Sequence, residues 1–443
     1  MFFKRDAARQ AVHDAIESAR DDITALSRSL HSGPGEQAPA DQIAGLLEAA
    51  GFAIERDVEG IDGTLRAVRE HRDAAAERRG LRHGHVGYLA DLPEDPAAWA
   101  NDGANLAVAA TLAASIGLAA SLSGRHEHGI VTFMAGAPGW KVAAAAKGLA
   151  EPFDAALGVR TAAAGGGYAY TIDNTGDRLG SLDALVSFDG AEAAAACVTL
   201  LAATAELNNS LPEPRSIRLV DSTPQTARFE ILGASRSELI ETAVALKDRA
   251  DLAVAERDAT VELDLGSAID DMIVNRILIR RVKTYGDTFK LEMDRIVKMP
   301  PGPPTDWGNV SYVTPSAEAA LRITENPARL GTPDFGALTA SDEAHAQAIL
   351  LGECLAMTGI DVLRDSTYRA IADDQLVQAL SARGISRAHR RWTGVHRVKP
   401  DPEGSSGKHR RGPQVSDFRM VRGPGLPPPP PPPDDEDEQP EQP

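Results

Sequence analysis

Apolar side chains recur at helical spacing over residues 6–30 and 40–50, and Gly51-Phe52-Ala53-Ile54-Glu55 then opens an extended segment behind a glycine stop. Apolar runs predict strands at 63–68, 86–90, 130–134 and 155–159, with Ala-rich helices at 104–122 and 140–149 between them. Strands alternating with helices imply an α/β sheet layered by helices. From Asp183 the order changes. Strands at 184–188, 216–220, 227–232 and 260–263 enclose helices at 191–208 and 235–257, which is βαββαβ, the ferredoxin-like arrangement. Helical and strand signals resume at 268–360, so this unit reads as an insertion. The expected division is 1–182 and 267–382 for the two parts of an α/β domain, 183–266 for the insertion and 383–443 for a tail.

The tail differs in composition from everything before it. Arg-His clusters are followed by seven prolines, Pro427 to Pro433, and by the acidic run Asp434 to Glu438. Polyproline forms no internal hydrogen bonds and an acidic run buries no apolar area, so this composition predicts disorder. Such a tail either rests its basic part on the body as a solvated segment or serves as a ligand for a proline-reading domain.

Charge sharpens the contrast. The chain carries 46 Lys and Arg against 64 Asp and Glu, a net −18, but residues 383–422 alone hold eleven basic side chains and three acidic ones. Residues 1–382 therefore stand at −20. A body of that charge, with 5% aromatic residues, repels phosphates and offers few stacking platforms, so no nucleic acid is expected on it. No run of eighteen uninterrupted apolar residues predicts a membrane span. The opening Met-Phe-Phe-Lys-Arg-Asp lacks the apolar core of a signal peptide, which makes the cytoplasm the expected compartment. Cys197 and Cys354 fit neither a disulfide framework nor a cysteine metal site.

Several strings carry a family resemblance. Leu26-Ser-Arg-Ser-Leu-His31-Ser-Gly-Pro34-Gly-Glu36 is similar to the opening helix and turn of the co-catalytic zinc amidohydrolases of metallopeptidase family 20, which include aminoacylases, dipeptidases and aminobenzoyl-glutamate hydrolases. Thr305-Asp306-Trp307-Gly308-Asn309-Val310-Ser311 resembles that family's Ser-Thr-Asp-x-Gly-Asn-Val-Ser, and Thr332-Pro333-Asp334-Phe335 and Ala356-Met357-Thr358-Gly359 continue the match. The resemblance spans about residues 10–365. It implies a zinc-exopeptidase-like α/β sandwich whose inserted ferredoxin-like (βαββαβ) domain is a lid and dimerisation module.

The same resemblance implies two zinc ions, a bridging Asp or Cys, and a Glu general base acting on metal-bound water. This chain departs from that set at nearly every position. The family's His-x-Cys-Gly-His-Asn falls on Ala100-Asn101-Asp102-Gly103-Ala104-Asn105, which leaves Asp102 as the one vestigial metal ligand. The Glu-Glu pair of base and ligand falls where Ala135-Gly136-Ala137-Pro138 leads into Gly139-Trp140. A later strand-end histidine falls on Arg160, the final one on Gly331, and the lid histidine is absent from Gly190-Ala191-Glu192-Ala193-Ala194. Leu89-Ala90-Asp91-Leu92-Pro93 keeps an Asp-x-Pro remnant.

Other arrangements were weighed from the residues themselves. His83-x-His85 and His126-x-His128 flank predicted strands, so alternate side chains share a face and are candidates for a metal or for exposed loop histidines. Asp91, Asp102 and Asp306 offer oxygens suited to Mg or Ca, whereas Asp102 also suits a cap for the helix beginning at Gly103. Gly165-Gly166-Gly167 lacks a dinucleotide-loop pattern and reads as a turn, and no nucleophile-elbow, zincin or Walker signature is present. Trp140-Lys141 begins a helix whose positive end, beside Arg160, suits an anion. Arg160, Asp306 and Asn309 are thus the candidate ligand-binding residues, for a small carboxylate, and Arg160 equally suits a salt bridge.

Three readings follow. The first is a degenerate amidohydrolase-like protein without catalytic residues or a resident cofactor, acting as a binding or assembly subunit, as a homodimer or as a heterodimer with an active paralogue. The second is a metal-dependent amidohydrolase that uses zinc to cleave the amide of an N-acyl amino acid or dipeptide. In the third, the body carries the tail to a partner.

Overall fold

The computed structural model describes residues 6–33, 38–74, 78, 82–122, 127–162, 172–174, 178–291, 302–323 and 328–386. Pro34, Glu36, His126, Gly165 to Gly167 and the tail from residue 387 lie outside them.

Eleven described strands form two sheets. The larger follows the order β1 (Ala53–Arg56), β2 (Leu65–His71), β4 (Gly129–Gly136), β3 (Gly84–Asp91), β5 (Ala155–Ala162), β11 (Ser316–Arg322), β6 (Ile172–Asn174). Its centre, β4-β3-β5-β11, is parallel, while β1, β2 and β6 run antiparallel at the two sides. Parallel strands are covered on both faces, which is why β3, β4, β5 and β11 are buried along nearly their whole length.

Helix Ala104–Ser121 lies against the sheet between helices Ala7–His31 and Asp342–Arg364. Fifteen of its eighteen residues are buried, so it is apolar on every side because it is a central core helix. By length and composition it and Asp342–Arg364 suffice to cross a membrane, which a search for uninterrupted apolar runs does not reveal, but both are packed inside the protein. Small residues let the two approach closely. A Cβ on Gly352 would stand 2.4 Å from the Ala110 carbonyl oxygen.

The second sheet is antiparallel, in the order β10 (Thr260–Ile269), β7 (Gly180–Asp189), β9 (Thr226–Gly233), β8 (Ser216–Ser222). Helices Ala193–Ser210 and Arg236–Val254 complete βαββαβ, with a core of its own built on Leu182, Val186, Phe188, Leu200, Phe229, Ile231 and Leu246. The strands at both ends of this unit extend past the expected ones, to Gly180 and Ile269. Strand β6 and helix Ser366–Ala382 also form, although neither carries a strong sequence pattern.

A buried polar clamp joins this unit to the larger sheet. Arg236 donates to both Asp270 oxygens at 2.8 and 2.7 Å and lies over the Tyr312 ring, while Tyr312 donates to Asp271. Arg383, just past the last helix, donates to Asp271 at 2.8 and 3.0 Å. Asn309 accepts from the Asp270 amide at 3.3 Å and donates to the Ala268 carbonyl at 3.2 Å. Gly308 is required beside it, since a Cβ there would lie 1.8 Å from the Asp270 carbonyl oxygen. Gly308→Ala is therefore expected to lower stability by about 2 kcal/mol, the range for forced overpacking, read as a fall in the urea midpoint. An unchanged midpoint would show that the junction yields freely.

Candidate functional site

Open α/β sheets bind their ligands beyond the carboxyl ends of the parallel strands. Here β3 ends in Asp91, and β4 ends in Gly136 before the turn that starts helix Trp140–Ala146. The turn runs through Gly139 at φ +94°, which places the Lys141 side chain inward. Lys141 is 0% exposed. Its Nζ donates to Asp91 and to both oxygens of Asp306, at 3.1 and 3.3 Å. The rings of Trp140 and Trp307 stand 5.5 and 5.7 Å from the ammonium, so its surroundings combine two carboxylates with two aromatic faces.

Burial works against the charge of Lys141, but Asp306 and Asp91 outweigh it and hold the amine protonated well above the ordinary lysine range. Burial pushes the Asp91 carboxyl up against the pull of Lys141. Asp306 has a second partner: its Oδ2 accepts the Gly139 amide at 3.0 Å. The positive start of helix Trp140–Ala146, expected to suit an anion, thus holds the chain's own Asp306 carboxylate.

Arg160, beside this network on β5, places Nε 3.5 Å from the buried Glu318 of β11, and Arg178 lies 3.7 Å from the same carboxylate. Burial pushes the Glu318 carboxyl up, while Arg178, Arg160 and Lys141 draw it down. Asn309 is buried in the junction clamp described above. Asp102 ends helix Pro96–Asn101, and its carbonyl accepts from Thr161. It does not cap the next helix, as the alternative reading of this residue held: Gly103, at φ +66°, stands at that N-cap without a side-chain bond. A Cβ on Gly331 would lie 3.6 Å from Asp102 Oδ1, so those two positions do meet. The oxygen set suggested for Mg or Ca is divided, since Asp91 and Asp306 close on Lys141.

The histidines regroup, His85 parting from His83 while His83 meets His128. His85 Nε2 lies 2.8 Å from Thr132 Oγ1 and its ring meets Phe153 edge-on, whereas His83 accepts from the Asp73 amide and faces His128 at 6.2 Å. His128 stacks on His71, with ring centroids 4.7 Å apart. His31 bonds the Gly336 carbonyl at 2.8 Å. Among the described residues no three His, Cys, Asp or Glu side chains converge as a metal site.

In the sequence Lys141 marks only the start of a helix, not a partner of Asp91 and Asp306, and nothing singles out Glu318. A lone lysine in the run Trp140-Lys141-Val142-Ala143-Ala144-Ala145-Ala146 carried one available signal, a charge in an apolar turn of helix directly after a strand. Glu318 sits likewise alone in Ser316–Arg322.

Solved structures share this architecture. An aminohydrolase from methicillin-resistant Staphylococcus aureus superposes with a TM-score of 0.56 at 12% identity, over 80% of this chain and 100% of its own. Bacillus subtilis YxeP, described as a dinuclear metal binding peptidase of the M20 family, gives 0.53 at 15% identity, over 78% and 99%. The aminobenzoyl-glutamate utilization protein of Klebsiella pneumoniae gives 0.52 at 12%, over 77% and 98%. No family model matches the sequence. Nor does any curated protein. The fold is that of the M20 peptidases and amidohydrolases.

A metal pair of that kind does not fit the residues at these strand ends. The carboxylates Asp91 and Asp306 already share a buried ammonium, and β5 and β11 contribute an arginine and the glutamate paired with it. Removing one member of a buried ionic cluster strands the others, so Asp306→Ala is expected to cost about 3–5 kcal/mol by urea unfolding. Asp102→Ala, at an exposed carboxylate, should stay within about 0.5 kcal/mol. The reverse order would contradict the assignment of Asp306 as the structural member.

His85 supplies a pH dependence. Burial, then Arg82 and Arg72, lower its pKa from 6.5 to about 4. Between those values the unfolded chain binds the proton and the folded one does not, so this contribution to stability is full above pH 6.5 and is lost as pH falls toward about 4. In thermal melts from pH 7 to 4, His85→Gln should decline less than the parent chain; parallel curves would exclude a neutral buried His85.

Proposed function

We propose that this chain is a non-catalytic binding or assembly subunit built on the amidohydrolase fold. The observation that carries the reading is the Lys141 ammonium, hydrogen-bonded to Asp91 and Asp306 at the sheet's carboxyl end. Hydrolysis by this fold's metal-dependent route needs a general base and a metal that brings the pKa of water from 15.7 toward about 7. A permanently protonated lysine is neither base nor nucleophile, and it repels a cation brought to the same carboxylates. Glu318, the other buried carboxylate nearby, is engaged by Arg160 and Arg178.

The binding role has two supports. Arg160 retains 27% side-chain exposure beside Glu318, which suits a small carboxylate ligand. The βαββαβ unit exposes Val198, Val220 and Leu252, and β8, which carries Val220, is the edge strand of its sheet, so we assign this unit the role of associating with a second subunit, identical or an active paralogue. We take 183–266 as the inserted unit and the cytoplasm as the compartment; of the expected tail 383–443, Arg383 belongs to the clamp, and we take the chain from residue 387 as separate from the body. The second reading, a zinc-dependent amidohydrolase acting on N-acyl amino acids or dipeptides, draws on the neighbour described as a dinuclear metal binding peptidase.

Elemental analysis of the full chain, dialysed against micromolar zinc without chelator, separates the two. The proposed reading expects well under one equivalent of zinc and no release of amino acid from N-acyl amino acids or dipeptides. Two equivalents together with turnover would establish the enzyme reading.

A further inference from the structure

The arrangement around Lys141 has the composition of a cation site. Two carboxylates approach one point from the end of β3 and from the start of helix Trp307–Val313, and two indole faces line the rest of it. Asp306 is fixed independently of the lysine by the Gly139 amide, and Trp140 is fixed by its bond to the Ala90 carbonyl at 3.1 Å. Trp307 is held where a Cβ on Gly158 would lie 2.2 Å from its ring. These supports belong to three different segments, so Asp306, Trp140 and Trp307 do not depend on the lysine stem for their position. The one cation within them is tethered to the chain.

We infer that Asp91 and Asp306 form a cation site whose resident ion is the chain's own Lys141, and that shortening this side chain opens the site to a diffusible cation. The inference rests on the non-catalytic reading above and deepens it by stating what the lysine replaces. With the stem removed, the two aspartates are left as a like-charge pair without a counter-ion. A hard divalent ion with oxygen preference, or a small alkylammonium that reproduces the lost group, restores the balance. The intact chain has no such vacancy, since its ammonium cannot dissociate.

The test uses the full chain and Lys141→Ala, with calcium chloride and methylammonium chloride as probes and sodium chloride at equal ionic strength as the control. Either probe at millimolar concentration is expected to raise the unfolding midpoint of the variant by at least about 2 °C, with no such rise in the parent chain. Lys141→Ala combined with Asp306→Asn should abolish the response. A folded Lys141→Ala that responds to neither probe overturns the inference. Should that variant fail to fold, folding rescued by methylammonium or calcium supports the inference, and failure to fold with either probe overturns it. Zinc bound by the parent chain would instead defeat the non-catalytic reading, so the two failures are distinguishable.

Discussion

Taking an ammonium out of water costs several kcal/mol unless hydrogen-bonded counter-charge meets it. Lys141 has no exposed surface, and the strand ends are organised around that requirement. Asp91 comes from β3, Asp306 from the loop before helix Trp307–Val313, and the Gly139 turn brings the lysine between them while its amide fixes Asp306. The two tryptophans that complete the enclosure demand space from their neighbours. Gly158 lets Trp307 lie against β5, and Gly308 lets the helix behind it press on Asp270. The charge cluster is thereby coupled to the clamp that seats the βαββαβ unit.

The string that resembles a hydrolase motif makes architectural contacts throughout. In Asp306-Trp307-Gly308-Asn309-Val310-Ser311, the first residue is a counter-ion, the glycine a close approach and the asparagine a brace on 268–270. Ser311 completes it by accepting the Ile273 amide at 2.9 Å. Each of these tasks is architectural, so the packing of the fold by itself accounts for the motif. Identities of 12 and 15% to proteins that share the fold are consistent with a structure specified by burial pattern and small-residue packing.

Much of the architecture was legible in the sequence because periodicity records burial. The strand at 130–134 and the helix at 104–122 appear as Gly129–Gly136 and Ala104–Ser121, and the βαββαβ order is visible because β7, β9 and β10 largely alternate over a single helical layer. The ends were less legible. Strand β10 runs on to Ile269 past a register shift near Leu265, where the alternation breaks. The absence of histidines at the expected positions was also readable, but what fills the space was not. The contacts of Lys141 span 50 and 165 residues, and those of Arg160 with Glu318 bridge two strands that become neighbours only in the folded sheet. No local pattern encodes such pairings.

The central claim is that the Lys141 ammonium, tethered to the chain, is the counter-ion that fills the space between Asp91 and Asp306. Its most direct test is a crystal structure of the full chain grown with excess zinc, with anomalous scattering recorded at the zinc edge. The account predicts Lys141 Nζ within hydrogen-bond distance of both Asp91 and Asp306, and no anomalous peak between those carboxylates. A zinc peak there, with the lysine side chain turned away, would contradict it.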